Sequence, residues 1–135
     1  MGVRKMSLFG ESVLVAIGGG LGAVARHTAS RLAISAGLTQ VGGIPLVTMS
    51  VNVVGCFLVG IVFSLLERHG SWQETGRLLL IVGFLGGFTT FSAFGLEAFS
   101  LIRENGWGSC LWFIVITMVS ALLAVSAGRW FATYL

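Results

Sequence analysis

From Leu32 to Leu66 the chain runs for 35 residues without a charged side chain. A helix that crosses the hydrocarbon core of a bilayer needs about 20 apolar residues, so this run is too long for one crossing. The turn-forming stretch GLTQVGGIP, Gly37 to Pro45, divides it. The same criterion applied along the chain gives spans at about 8–36, 46–66, 78–102 and 106–132. Alternating ten-residue segments of a membrane barrel are missing, and only helices satisfy every backbone amide within one apolar segment. The expected fold is an all-α, multi-pass membrane protein with one four-helix domain over residues 1–135.

Composition closes the other routes. Charged residues make up 10% of the chain, against roughly 25% in soluble domains, which is too few to cover a water-soluble globule. Hydrophobic residues at 56% exclude disorder, which is poor in apolar side chains. The net charge of +3 suggests no nucleic acid, because Arg4, Lys5, Arg31, Arg68, Arg77, Arg103 and Arg129 sit near the ends of apolar runs and form no stripe. Four spans put both termini on one side. Arg4, Lys5, Arg68, Arg77 and Arg129 then oppose Arg31 and Arg103, a bias weak enough for insertion in both orientations. Cys56 and Cys110 have no metal-ligand spacing and read as buried small residues. Ala23-Val24-Ala25 looks like a signal-peptide cleavage site, but glycines at 18, 19, 20 and 22 interrupt the apolar core before it. Those glycines also match G-x-G-x-x-A, without the strand or the acidic partner a dinucleotide site requires.

Polar groups inside the spans carry the functional signal, since each costs desolvation unless it is paired or faces a cavity. In span 1, Gly18, Gly22 and Arg26 share a face. Arg26 either supplies fixed charge there or snorkels to the interface. In span 2, Thr48, Asn52, Cys56 and Gly60 recur every four residues. Asn52 needs a partner in hydrocarbon, either another helix or an ion path. Span 3 contains GFLGGFTTFSAFGLE, Gly83 to Glu97, whose adjacent glycines and β-branched threonines make a poor helix centre. The expectation is a helix broken in mid-membrane, which is tolerated only where the freed backbone groups line a cavity or bind something. Phe91 and Phe94 follow the threonines three apart on one face, with Ser92 beside them. A phenyl ring is positive at its edge, so an anion can be held edge-on without a full charge that would trap it. In span 4, Thr117 and Ser120 either make interhelical hydrogen bonds or line a polar track, above the small residues Ala124 and Gly128.

Gly18 to Arg26 (GGGLGAVAR), Thr48 to Gly60 (TMSVNVVGCFLVG) and Gly83 to Phe94 (GFLGGFTTFSAF) resemble the Fluc (CrcB) family of fluoride channels, and with the four-span pattern the resemblance covers nearly the whole chain. It implies an antiparallel, dual-topology homodimer in the plasma (inner) membrane, with two fluoride pores and passive export of cytoplasmic fluoride. It further implies one structural sodium ion held at the dimer centre by the backbone carbonyls of Gly86 and Thr89. Phe91 and Phe94 match the family's phenylalanine box, Asn52 its pore asparagine, Arg26 a vestibule arginine, and Glu97 a carboxylate after the box. Ser92, Thr117 and Ser120 are the polar-track candidates. Ala93 stands where family patterns often carry a hydroxyl. The implied partners are fluoride, membrane lipids and a second copy, with no nucleic acid and no catalytic step.

Two other readings compete. A proton-coupled small-molecule exporter of the four-helix antiparallel type would use Glu97 as its coupling carboxylate, although such exporters want the acid in span 1, where only Glu11 stands, at the edge. An accessory membrane subunit would need the glycines for packing alone, and would gain nothing from GGFTT in mid-span.

Overall fold

The computed structural model describes residues 6–41, 43–68 and 73–135; Arg4 and Lys5, which weigh in the charge bias, lie outside the described residues. Helix α1 (Leu8–Ser35) starts where the Ser7 hydroxyl accepts the Gly10 N–H at 3.2 Å, with Glu11 in the first turn facing the positive helix end. Gly37, at φ +74°, lets the chain leave the helix. A short antiparallel pair, β1 (Gln40–Val41) with β2 (Ile44–Pro45), carries it round into α2 (Leu46–Arg68).

The third span is a stack of pieces. Helix α3 (Gln73–Gly76) leads into a π-helix (Arg77–Leu85), then α4 (Gly86–Phe88), and α5 (Phe91–Asn105) follows after Thr89 and Thr90. Gly86 N–H donates to Ile81 O, five residues back, which marks the wider π turn. Thr89 (φ −81°, ψ 159°) and Thr90 (φ −148°, ψ 119°) are extended. Gly106 alone, at φ +83°, reverses the chain from α5 into α6 (Trp107–Phe131), and one turn of 3-10 helix (Ala132–Tyr134) ends it. Gln73–Asn105 taken together with α1, α2 and Trp107–Tyr134 gives four helical stretches long and apolar enough to cross a membrane.

Glycines set the packing. A Cβ on Gly18 would meet Leu79 O, and one on Gly22 would meet Phe84 O, so α1 lies with its backbone on the π-helix and α4. Gly87 is blocked in turn by Gly19 O. A second close approach joins α2 to α6: Gly60 faces Val125 O and Gly128 faces Phe57 O. Small residues at such crossings replace the hydrophobic driving force that lipid does not provide. The buried core is small and sits where α5 meets α6, with Phe94, Ala98, Leu101, Cys110 and Phe113 in one cluster. Large apolar side chains elsewhere point outward, among them Leu21, Phe91 and Leu122.

Candidate functional site

Asn52 is the residue around which the Thr89–Thr90 segment is organised. Its Oδ1 accepts the Thr90 N–H at 2.8 Å, and its Nδ2 donates to Thr90 O at 3.0 Å. Both polar ends of the amide therefore close on the backbone of one residue, as a strand partner would. Thr90 then caps α5: its hydroxyl accepts the Ala93 N–H at 3.2 Å and lies 3.2 Å from Ser92 Oγ. The Thr89 hydroxyl turns back and donates to Leu85 O at 2.9 Å.

These bonds have a consequence for the carbonyls. In a continuous helix Gly86 O would accept from Thr90 N–H, and Thr89 O from Ala93 N–H. Asn52 takes the first donor and the Thr90 side chain takes the second. Gly86 O and Thr89 O are among the oxygens that lose their ladder partners at the break, whereas Gly87 O accepts from Arg26 Nε at 3.2 Å. Carbonyl oxygens relieved of their donors are hard ligands for a small cation. These oxygens fit such an ion in kind.

On the α6 side of the same segment lies a cavity of about 240 Å³. Helix α2 contributes Asn52, Cys56 and Val59, and the third span contributes Thr89, Thr90, Phe91 and Phe94. Thr117, Met118 and Ala121 of α6 complete it. Among the described residues no charged side chain lines it. Side-chain donor groups in its lining include the thiol of Cys56, the amide of Asn52 and the hydroxyl of Thr117. Thr117 is 3% exposed and its Oγ1 has no hydrogen-bond partner among the described residues. A buried hydroxyl left unpaired costs about 1–3 kcal/mol, so its presence facing a cavity points to a ligand that can accept from it.

The two phenylalanines have different surroundings. Phe94 is buried and its ring packs 5.2 Å from that of Phe113, whereas Phe91 is 76% exposed, with the two rings 5.6 Å apart. Phe91 thus presents its ring at the outer surface of the chain.

The remaining sequence-selected residues are spread more widely. Ser92 is exposed and held near Thr90. Ser120 is half-buried and lines no part of this cavity. Helical geometry separates it from Thr117: Ala121 lies about 40° to one side of Thr117 and Ser120 about 60° to the other. Arg26 is half-buried beside α4, away from the cavity lining. Glu97 stands farther along α5, where Thr48 Oγ1 donates to its Oε1 at 2.6 Å. There it lines a separate cavity of about 410 Å³ together with Thr39, Ser100 and Glu104. Its Oε2 is buried without a partner among the described residues. Cys110 is buried, but Cys56 is half-buried and faces the central cavity, contrary to its reading as a packing residue. Met118 and Ala121 carry no polar signal in the sequence, and only the four-residue spacing of Ala121 from Thr117 hints at a shared face.

The model of the family described as CrcB-like protein, Camphor Resistance (CrcB), matches residues 13–129. The chain belongs to the CrcB family. A fluoride-specific ion channel FluC from Methylobacillus flagellatus is 40% identical over 118 residues, covering 87% of this chain and 91% of the relative. Its namesake from Sphingopyxis alaskensis is 43% identical over 115 residues, 84% of this chain and 88% of the relative. The one from Chlorobium phaeobacteroides is 37% identical over 131 residues, 96% and 95% of the two chains. CrcB relatives of this kind are channels by name, and the family is one of ion channels rather than enzymes.

Proposed function

We propose that the chain is a fluoride-selective passive anion channel of the bacterial inner membrane. The observation that carries this reading is the uncharged cavity with a buried, unpartnered Thr117 hydroxyl, the Asn52 amide and two phenylalanine rings at its wall. Neutral donors and ring edges attract a small anion without holding it, which conduction requires. The names of the relatives supply the ion.

In this reading the third span acts as a broken helix at membrane depth, and two copies assemble antiparallel. Phe91, exposed on one copy, is then covered by the other, and each dimer has two pores. Gly86 O and Thr89 O would hold a structural sodium ion, which would supply a fixed positive charge close to the anion route. Ser92 and Ser120 extend the polar track outside the cavity seen in one chain. Arg26 attracts anions toward the entrance, and Glu97 with Thr48 stands at the far end of the route.

Purified protein in liposomes loaded with fluoride tests the proposal. Wild type should release fluoride electrogenically and leave chloride behind, and Phe91→Ile should abolish release with little change in melting temperature, because that ring is 76% exposed. Equal chloride release would refute selectivity. Release that depends on a proton gradient would favour the exporter built on Glu97.

A further inference from the structure

At the end of α2 remote from Glu97, α2 and α6 finish side by side around a cavity of about 420 Å³ lined by Ser64, Glu67, Arg68, Arg129, Trp130 and Thr133. Two guanidinium groups against one carboxylate leave the lining net positive. Arg129 is held in place, 3.5 Å from Glu67 Oε2 and 5.1 Å from the Phe63 ring centroid. Arg68, one turn beyond Ser64, has no ion-pair partner among the described residues. Ser64 is only 8% exposed, yet it lines this cavity, and no hydrogen bond to its hydroxyl is made among the described residues. The Thr133 hydroxyl is occupied, donating to Trp130 O at 2.7 Å. The lining thus offers one guanidinium without an ion-pair partner among the described residues, a fixed one and the Ser64 O–H, next to the Gly60–Gly128 crossing.

We propose that this cavity binds the phosphate of an anionic phospholipid of the phosphatidylglycerol type. Guanidinium groups pair with phosphate oxygens in charge-assisted bonds, and basic pockets between helix ends suit lipid headgroups. A lipid rather than a soluble anion is favoured by what surrounds the pocket. Trp130 and Tyr134 touch edge-on at 5.1 Å and mark headgroup depth. Leu123, seven residues before Trp130, shares its face, and both are exposed, which gives the acyl chain an apolar bed below the headgroup. The lipid ties the ends of α2 and α6 together. This assignment does not depend on which ion the chain carries.

Native mass spectrometry of the full chain in neutral detergent, with phosphatidylglycerol, phosphatidylcholine or inorganic phosphate added, provides the test. Arg68→Gln should reduce retained phosphatidylglycerol about fivefold, the effect of roughly one ionic contact at the membrane surface. Ser64→Ala should reduce it about threefold through the lost hydrogen bond. Arg31→Gln, an exposed arginine on α1, should leave it unchanged. Equal losses from Arg31→Gln and Arg68→Gln would reduce the effect to diffuse charge and overturn the site, as would an Ser64→Ala variant that binds like wild type. Equal retention of phosphatidylcholine, or displacement by millimolar inorganic phosphate, would overturn the anionic lipid as occupant.

Discussion

Before Thr89 the third span rests on α1 with backbone against backbone, through Gly18, Gly22 and Gly87. From Thr90 on it hangs from α2 by side-chain hydrogen bonds, Asn52 to Thr90 and Thr48 to Glu97, and packs the Phe94 ring on Phe113 of α6. Glycine contacts are all-or-none, because a Cβ has nowhere to go. Hydrogen bonds from side chains can be loosened one at a time. The first half is therefore a rigid mount, and the second half is where individual residues set the direction of backbone groups and the shape of the cavity.

Substitutions can separate the two. The largest effect is expected at Gly22→Val, whose branched carbons would enter the Phe84 carbonyl; the overpacking should cost about 3 kcal/mol or more and remove the monodisperse peak on size exclusion. Gly20→Val, with nothing within 4 Å of its Cβ position, serves as the control and should purify normally. Matching behaviour of the two would end the idea of a rigid mount.

Asn52→Leu comes next. It removes both bonds to the Thr90 backbone, at about 2 kcal/mol, and flux should vanish with it. The Thr90 N–H is then free to return to Gly86 O. Wild type should therefore melt lower when sodium is replaced by a large organic cation, and Asn52→Leu should show no such sensitivity. An Asn52→Leu protein as stable and as sodium-dependent as wild type would show that the amide clamp shapes nothing.

Thr48→Val should be milder, about 1.5 kcal/mol for one bond to a carboxylate, measured by thermal melting. Smallest of all is Thr117→Val. The hydroxyl it removes has no hydrogen-bond partner among the described residues, so stability should hold or rise slightly while fluoride release slows. A clear loss of stability there would mean that the hydroxyl serves packing and not an ion.

The sequence made much of this layout readable, and its silences have physical causes. Charge-free runs mark where the four apolar helices lie because lipid tolerates no other arrangement of backbone. The four-residue spacing of Thr48, Asn52, Cys56 and Gly60 put partners of the third and fourth spans on one stripe of α2. The π-helix at Arg77–Leu85 was invisible, since a run of apolar residues with one glycine looks alike at either pitch. β-Branching says only that Thr89 and Thr90 favour helices poorly. It cannot say that one hydroxyl caps α5 while an asparagine 38 positions earlier takes the adjoining amide. Choosing Thr117 over Ser120 required knowing how α6 is rotated, which composition does not encode.

The turn at Gly106 also decides where the molecule can be engineered. A lone left-handed residue leaves no slack between α5 and α6, so an epitope spliced there would pry the hairpin apart. Gly37, with open space around it, can take a protease recognition sequence instead. In sealed cells, the fraction cut from outside would count how many copies face each way.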